Sequence, residues 1–233
     1  MTRLSPIAVL VLGAGIVSLA SPLCAQQSQA PLESLASPAG QWIPLTARFV
    51  ERDHAWTEHG LPEMLEFSGV YLRDRYGSWY RRMKLASRLN LLRVIGGTDS
   101  ALLYDRPQRT MYTLDFTRGT AQKQVIDVSA TPEFALAPIS SREFEAYHSQ
   151  DKFLGMKNLS GLDCVGYALR DERRKNKYVA EMWYAPSLAF LAVGAKSHFK
   201  GDQDVTTMLE DIQPGRDPDP QFFTVPVDLR IVK

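Results

Sequence analysis

Alternation of apolar and polar residues, in short runs broken by turn residues, limits most of this chain to half-buried β-strands. In an extended backbone successive side chains point to opposite sides, so an apolar residue at every second position coats one face of a sheet. A helix needs spacings of three and four instead. Leu45, Ala47 and Phe49 fall in one phase, with Thr46, Arg48 and Arg52 largely in the other. Leu65, Phe67, Gly69 and Tyr71 repeat the pattern, as do Trp79, Arg81, Met83 and Leu85 against Tyr80, Arg82 and Lys84. Ala101 to Tyr104 follow, then Tyr112, Leu114 and Phe116 against Met111, Thr113 and Asp115. The second half continues with Val165, Tyr167 and Leu169, Tyr178 to Tyr184, Leu191, Val193 and Ala195, and Val205 to Ile212.

Turn residues sit between these runs: Asp74 to Gly77, Asp105 to Gln108, Arg118-Gly119, Arg173 to Asn176 and Lys200 to Asp202. Tight turns join antiparallel neighbours, whereas parallel ones need long crossovers. An antiparallel meander of this kind closes into a barrel, stacks as two sheets, or curls around something apolar. One helix interrupts it. Ser140 caps that helix, Glu143 completes a capping box, and Phe144, Tyr147 and Leu154 form its apolar side. A shorter helical turn follows Asp219-Pro220, with Phe222 and Phe223 turned inward before Val225-Pro226.

Residues 1–25 read as a secretory signal peptide. Arg3 is followed by an apolar stretch from Ile7 to Leu19 and a small-residue exit ending at Ala25, where cleavage is expected. That stretch is too short for the roughly 20 residues that span a bilayer as a helix. Leu23 is too large for a lipid-attachment signal before Cys24, so Cys24 is assigned to the discarded peptide. Residues 26–41, rich in Gln, Ser, Pro and Ala, form a flexible lead, and 42–233 a single β domain. The expected location is the periplasm. Loss of Arg3 leaves basic and acidic residues equal in number, so nothing asks for nucleic acid as the general partner. Cys164 alone remains of the cysteines, which rules out an internal disulfide and suits a small buried hydrophobe on a strand.

The order of motifs in the second half is similar to one group of exported bacterial proteins. Leu159 to Tyr167 runs into a strand, Trp183-Tyr184-Ala185-Pro186 follows, and Asp217-Pro218-Asp219-Pro220 precedes Phe223 and Pro226. The chain resembles the LolA-like (lipoprotein-carrier and RseB-like) superfamily over residues 155–228, while the first half matches in strand rhythm. The resemblance implies a mainly β (α+β) fold: a strongly curved antiparallel sheet, an unclosed half-barrel, with one or two covering helices. It also implies an apolar cavity between sheet and helix that takes an acyl chain or a lipoprotein lipid. Phe49, Leu65, Phe67, Tyr71, Trp79, Met83, Tyr112, Leu114, Phe116 and Trp183 are the cavity candidates by phase.

The sharpest charge feature is basic. Arg73, Arg75, Arg81, Arg82 and Lys84, interleaved with Tyr76, Trp79 and Tyr80, suit an anionic headgroup or an acidic partner protein, or form a solvated edge. His54 and His59 are poorly spaced for a shared metal, and no Cys-x-x-Cys or His-Glu-x-x-His motif supports one, so neither metal nor cofactor is expected. No Gly-x-Ser-x-Gly element or paired base marks a nucleophile. The expectation is a monomeric, non-enzymatic periplasmic protein that binds an apolar ligand in envelope maintenance. Two alternatives stand beside it: a sensor or scaffold that binds another envelope protein through the basic hairpin, and an enzyme on the same scaffold.

Overall fold

The computed structural model describes residues 42–56, 62–89, 99–126, 140–171, 177–198 and 204–232. The expected signal peptide, the whole of the lead and the turns at 173–176 and 200–202 lie outside them. The strands are β1 (Leu45–Trp56), β2 (Pro62–Arg73), β3 (Trp79–Leu89), β4 (Asp99–Asp105), β5 (Thr110–Asp115) and β6 (Thr120–Val125). After helix α1 (Ser141–Tyr147) come β7 (Lys152–Leu159), β8 (Leu162–Asp171), β9 (Lys177–Ala185), β10 (Leu191–His198), β11 (Asp204–Pro214) and β12 (Arg230–Val232). All belong to one sheet in the order β12-β6-β5-β4-β3-β2-β1-β11-β10-β9-β8-β7, curved and unclosed.

Two meanders, β1 to β6 and β7 to β11, join where β1 pairs antiparallel with β11. The departure from an antiparallel plan is β12, which returns to lie parallel on the edge strand β6. The hairpins close where turn chemistry asks for it. Asp74 Oδ1 accepts from the backbone N–H of Tyr76 and Ser78, and Gly77 takes φ +85°. A Cβ on Gly77 would meet the Trp42 indole at 2.4 Å, so glycine serves both conformation and packing.

Register sorts the side chains onto two faces. Leu45, Ala47, Phe49 and Glu51 stand beside Arg73, Tyr71, Gly69 and Phe67, and these beside Trp79, Arg81, Met83 and Leu85. Desolvation dominates the titration of Glu51, Tyr71 and Arg81, although each keeps part of its surface open to solvent. The ladders carry this face through Thr207 and Ala195 to Met182, where the helix covers it, and it is the concave one. The convex face carries Leu72, Tyr80, Leu103, Tyr112 and Leu114.

Each face has its own cover. Phe144 of α1 is wholly buried against Val165, Tyr167, Met182, Tyr184 and Phe190, with the Phe190 ring stacked at 4.0 Å. These sheet residues lie on the concave side through the β8–β11 ladders. Burying one such ring stabilises by about 1.5–3 kcal/mol. The capping box is present: Ser140 N–H donates to Glu143 Oε2 at 2.7 Å and Glu143 N–H to Ser140 Oγ at 3.3 Å. Leu154 belongs to β7 and not to the helix. The chain leaves α1 at His148, where the Asp151 N–H turns back to the His148 carbonyl and Asp151 Oδ2 meets His148 Nδ1. The convex face is covered by a 3-10 turn at Pro220–Phe223, started by Asp219. Phe223 and Val225 pack there on Leu72, Tyr80, Leu103 and Leu114, and the Phe222 ring lies 5.7 Å from that of Tyr80.

Candidate functional site: a cation on an apolar concave wall

The apolar candidates divide between the faces. Phe49, Leu65, Phe67, Tyr71, Trp79 and Met83 share the concave wall of β1 to β3, where all except Phe49 are half-buried and Tyr71 stacks on Trp79 at 6.3 Å. Tyr112 and Leu114 face the convex side, and Phe116 joins their cluster under the C-terminal turn. Trp183, paired with Gly166 and Gly194, packs on the core cluster of Leu45, Phe49 and Leu209 against which Tyr71 and Met83 also pack; it fills the space above Gly166, with Lys157 over its ring at 5.5 Å. Phase within one strand says which residues share a side. Which of the two sides a given strand turns inward is fixed by pairing register and bulges, which phase does not contain.

The basic hairpin divides in the same way. Arg73, 2% exposed, donates from Nε and Nη2 to the Ile43 carbonyl and from Nη2 to that of Leu188, and lies over the Trp42 ring. Its role is internal, and burial lowers its pKa. Arg75 is taken up by Asp217 across the C-terminal segment. On the convex side Arg82 grips Asp99 with two parallel hydrogen bonds of 2.9 Å, and Lys84 reaches the same carboxylate at 3.2 Å. The Arg82 hydrogen bond, with help from Lys84, holds the Asp99 carboxyl below the usual range.

Arg81 is different. It shares the apolar phase of β3, opposite Tyr71 on one side and Leu102 on the other. Its guanidinium lies over the Phe49 ring, Cζ 4.7 Å from the ring centre, two strands away. Gly69 stands between Phe49 and Met83 in the intervening strand. A Cβ there would meet the Arg82 carbonyl oxygen at 1.9 Å, so the close approach of β2 and β3 demands glycine. Burial lowers the Arg81 pKa, opposed by the charge of Glu51; burial raises the Glu51 carboxyl, opposed by Arg81 and reinforced by Asp53. Tyr71 is pushed up by burial as well. Glu51 escaped the sequence reading. Its signal was a charge standing in the apolar phase of β1, the mark that Arg81 carries in β3.

Cys164 is fully buried on β8, and burial pushes its thiol up to about 11. His148 is buried beneath Phe144 and stacked on Tyr167 at 4.4 Å, where with Asp151 it props the end of α1. Among the described residues no three His, Cys, Asp or Glu side chains gather as a metal ion requires, and no helix is long and apolar enough to cross a membrane. A cleft of about 410 Å³ between Thr46, Leu72, Pro214, Asp217 and Phe222 lies toward the convex face, away from Arg81.

No family model matches the chain, and no curated protein does. Among solved structures it is similar to an uncharacterised conserved protein from Thermus thermophilus (TM-score 0.44, 7% identity, covering 86% of this chain and 93% of that one). It is also similar to the Pseudomonas aeruginosa MucA/MucB complex (TM-score 0.37, 13% identity, 82% and 58%). A LolA superfamily protein from Nitrosomonas europaea gives a TM-score of 0.33 at 10% identity, over 83% and 94% of the two chains.

Proposed function

We propose that this is an exported, non-enzymatic protein of the bacterial envelope that binds an apolar ligand, an acyl chain, on its concave wall. One observation carries the reading: Leu65, Phe67, Tyr71, Trp79, Met83 and Leu85 form a continuous strip of half-buried apolar side chains on the concave side. A closed core would bury such residues fully, whereas a ligand wall keeps them accessible. Export, and with it a periplasmic location, rests on the character of residues 1–25.

Binding of another envelope protein through the basic hairpin is less favoured. The charges of Arg75, Arg82 and Lys84 are met within the chain by Asp217 and Asp99. The test is native mass spectrometry of residues 26–233 purified from a bacterial periplasm. Adducts of lipid mass that vanish on denaturation are expected. A bare polypeptide mass, unchanged after incubation with fatty acids, would overturn the reading.

A further inference from the structure

Arg81 has more donors than the protein uses. A guanidinium carries five N–H groups in one plane. Arg73, its neighbour in the next row of β2, spends its donors on Ile43 and Leu188, and Arg82 spends a parallel pair on Asp99. Among the described residues no carboxylate or carbonyl lies within hydrogen-bond or ion-pair reach of the Arg81 guanidinium. Its interactions are the face contact with Phe49 and longer-range attraction to Glu51 and Tyr71. A cation on a crowded wall is costly unless a partner with good geometry meets it.

The surroundings say which partner. The Phe49 ring lies beneath the guanidinium, a contact that leaves its N–H donors unspent. Planar, bidentate donors fit carboxylate or phosphate oxygens. On either side of Arg81 lie Trp79 and Met83, with Leu85 and Phe67 beyond, so a chain attached to the anion would find apolar surface at once. Glu51 stands near enough to attract Arg81 and would repel a second anion. Its carboxyl is raised by desolvation, so an incoming anion favours its neutral form. Asp53, further along the same face of β1, adds to that repulsion.

We infer that Arg81, seated on Phe49 and flanked by Tyr71, is a headgroup site, and that the ligand of this wall is an anionic amphiphile whose carboxylate or phosphate it binds. The inference rests on the apolar-ligand reading and adds the ligand's charge. The experiment compares palmitate, hexadecyl phosphate and hexadecanol, which share a chain length, for displacement of a solvatochromic fluorescent lipid from residues 26–233. The two anions should displace the probe at least about tenfold more tightly than the alcohol, the difference of one charged hydrogen bond. Whichever anion is tighter identifies the source as a fatty acid or a phospholipid-like head. Arg81→Met should remove the preference and leave hexadecanol affinity within about twofold, while Glu51→Gln should tighten the anions and not the alcohol.

Equal affinity of all three amphiphiles for the unaltered protein overturns the headgroup site while leaving the apolar wall standing. No displacement by any of them overturns both. The unaltered protein decides the question even if Arg81→Met does not fold. Far-UV circular dichroism of each variant separates lost folding from lost binding.

Discussion

Arg73 grips the carbonyl of Ile43 with two nitrogens at once, Nε at 3.0 Å and Nη2 at 2.9 Å. A third hydrogen bond, 2.9 Å to the Leu188 carbonyl, ties the start of the sheet to the turn that follows β9. No acidic side chain is needed, because carbonyl dipoles converge on the cation and Trp42 covers it. Arg73→Met would leave both carbonyls without this donor in a buried place. A loss of about 3 kcal/mol is expected, read from the midpoint and slope of urea unfolding. Arg73→Lys should recover little, since an ammonium cannot reproduce the fork. A change below about 1 kcal/mol in Arg73→Met would refute this internal role.

Gly69→Ala should destabilise through a backbone collision, not through lost freedom. The added Cβ would fall 1.9 Å from the Arg82 carbonyl oxygen, which cannot swing aside without parting β2 from β3. The expected loss is about 2–4 kcal/mol. Gly119→Ala is the control, because its Cβ would meet nothing within 4 Å although φ is +63°. That change should cost about 1 kcal/mol, the strain of a left-handed residue alone. Thermal unfolding of the two variants side by side makes the comparison, and equal costs would count against the close strand approach.

Strands, turns and the capped helix were legible because each depends on neighbours in sequence. Alternation marks a strand, Asp74 and Gly77 mark a hairpin, and Ser140 with Glu143 marks a helix start. The sides of the sheet were not legible. Tyr112 and Tyr71 look alike by phase, yet one is convex and the other concave, because the ladders run from Tyr71 through Arg81 and Leu102 to Thr113, the neighbour of Tyr112. The same holds for the basic residues. Arg81 and Arg82 are neighbours in sequence and, for that reason, opposites across the sheet; only the fold shows that Asp99 answers one of them. The extent of α1 was misjudged at Leu154, where the turn made by His148 and Asp151 ends the helix.

Cys164 should be chemically silent in the folded protein. Its thiol is fully buried, and burial pushes its pKa up to about 11, so almost no thiolate exists at pH 8. Reaction with an aromatic disulfide reagent should proceed at the rate of unfolding and become fast in concentrated urea. A stoichiometric reaction within seconds under native conditions would show that β8 opens locally.

The Arg82–Asp99 pair should make the acid limb of stability depend on a convex-face contact. Asp99 is held below its ordinary value of 3.8 by hydrogen bonds from Arg82 and Lys84. In the pH interval between the folded and unfolded values, the unfolded chain therefore binds more protons at this site. The contribution is fully present above the unfolded value and is lost as pH falls through the lower folded value. Both partners are partly open to solvent, so the effect is about 1 kcal/mol or less. Urea midpoints from neutral pH down into the acid transition should show Arg82→Met less stable than the unaltered protein at neutral pH. The gap should narrow as Asp99 becomes protonated, and Asp99→Asn should abolish most of that narrowing. Two curves that stay parallel throughout the descent would mean that Arg82 stabilises by packing on Phe116, 4.0 Å from its guanidinium, and not by its charge.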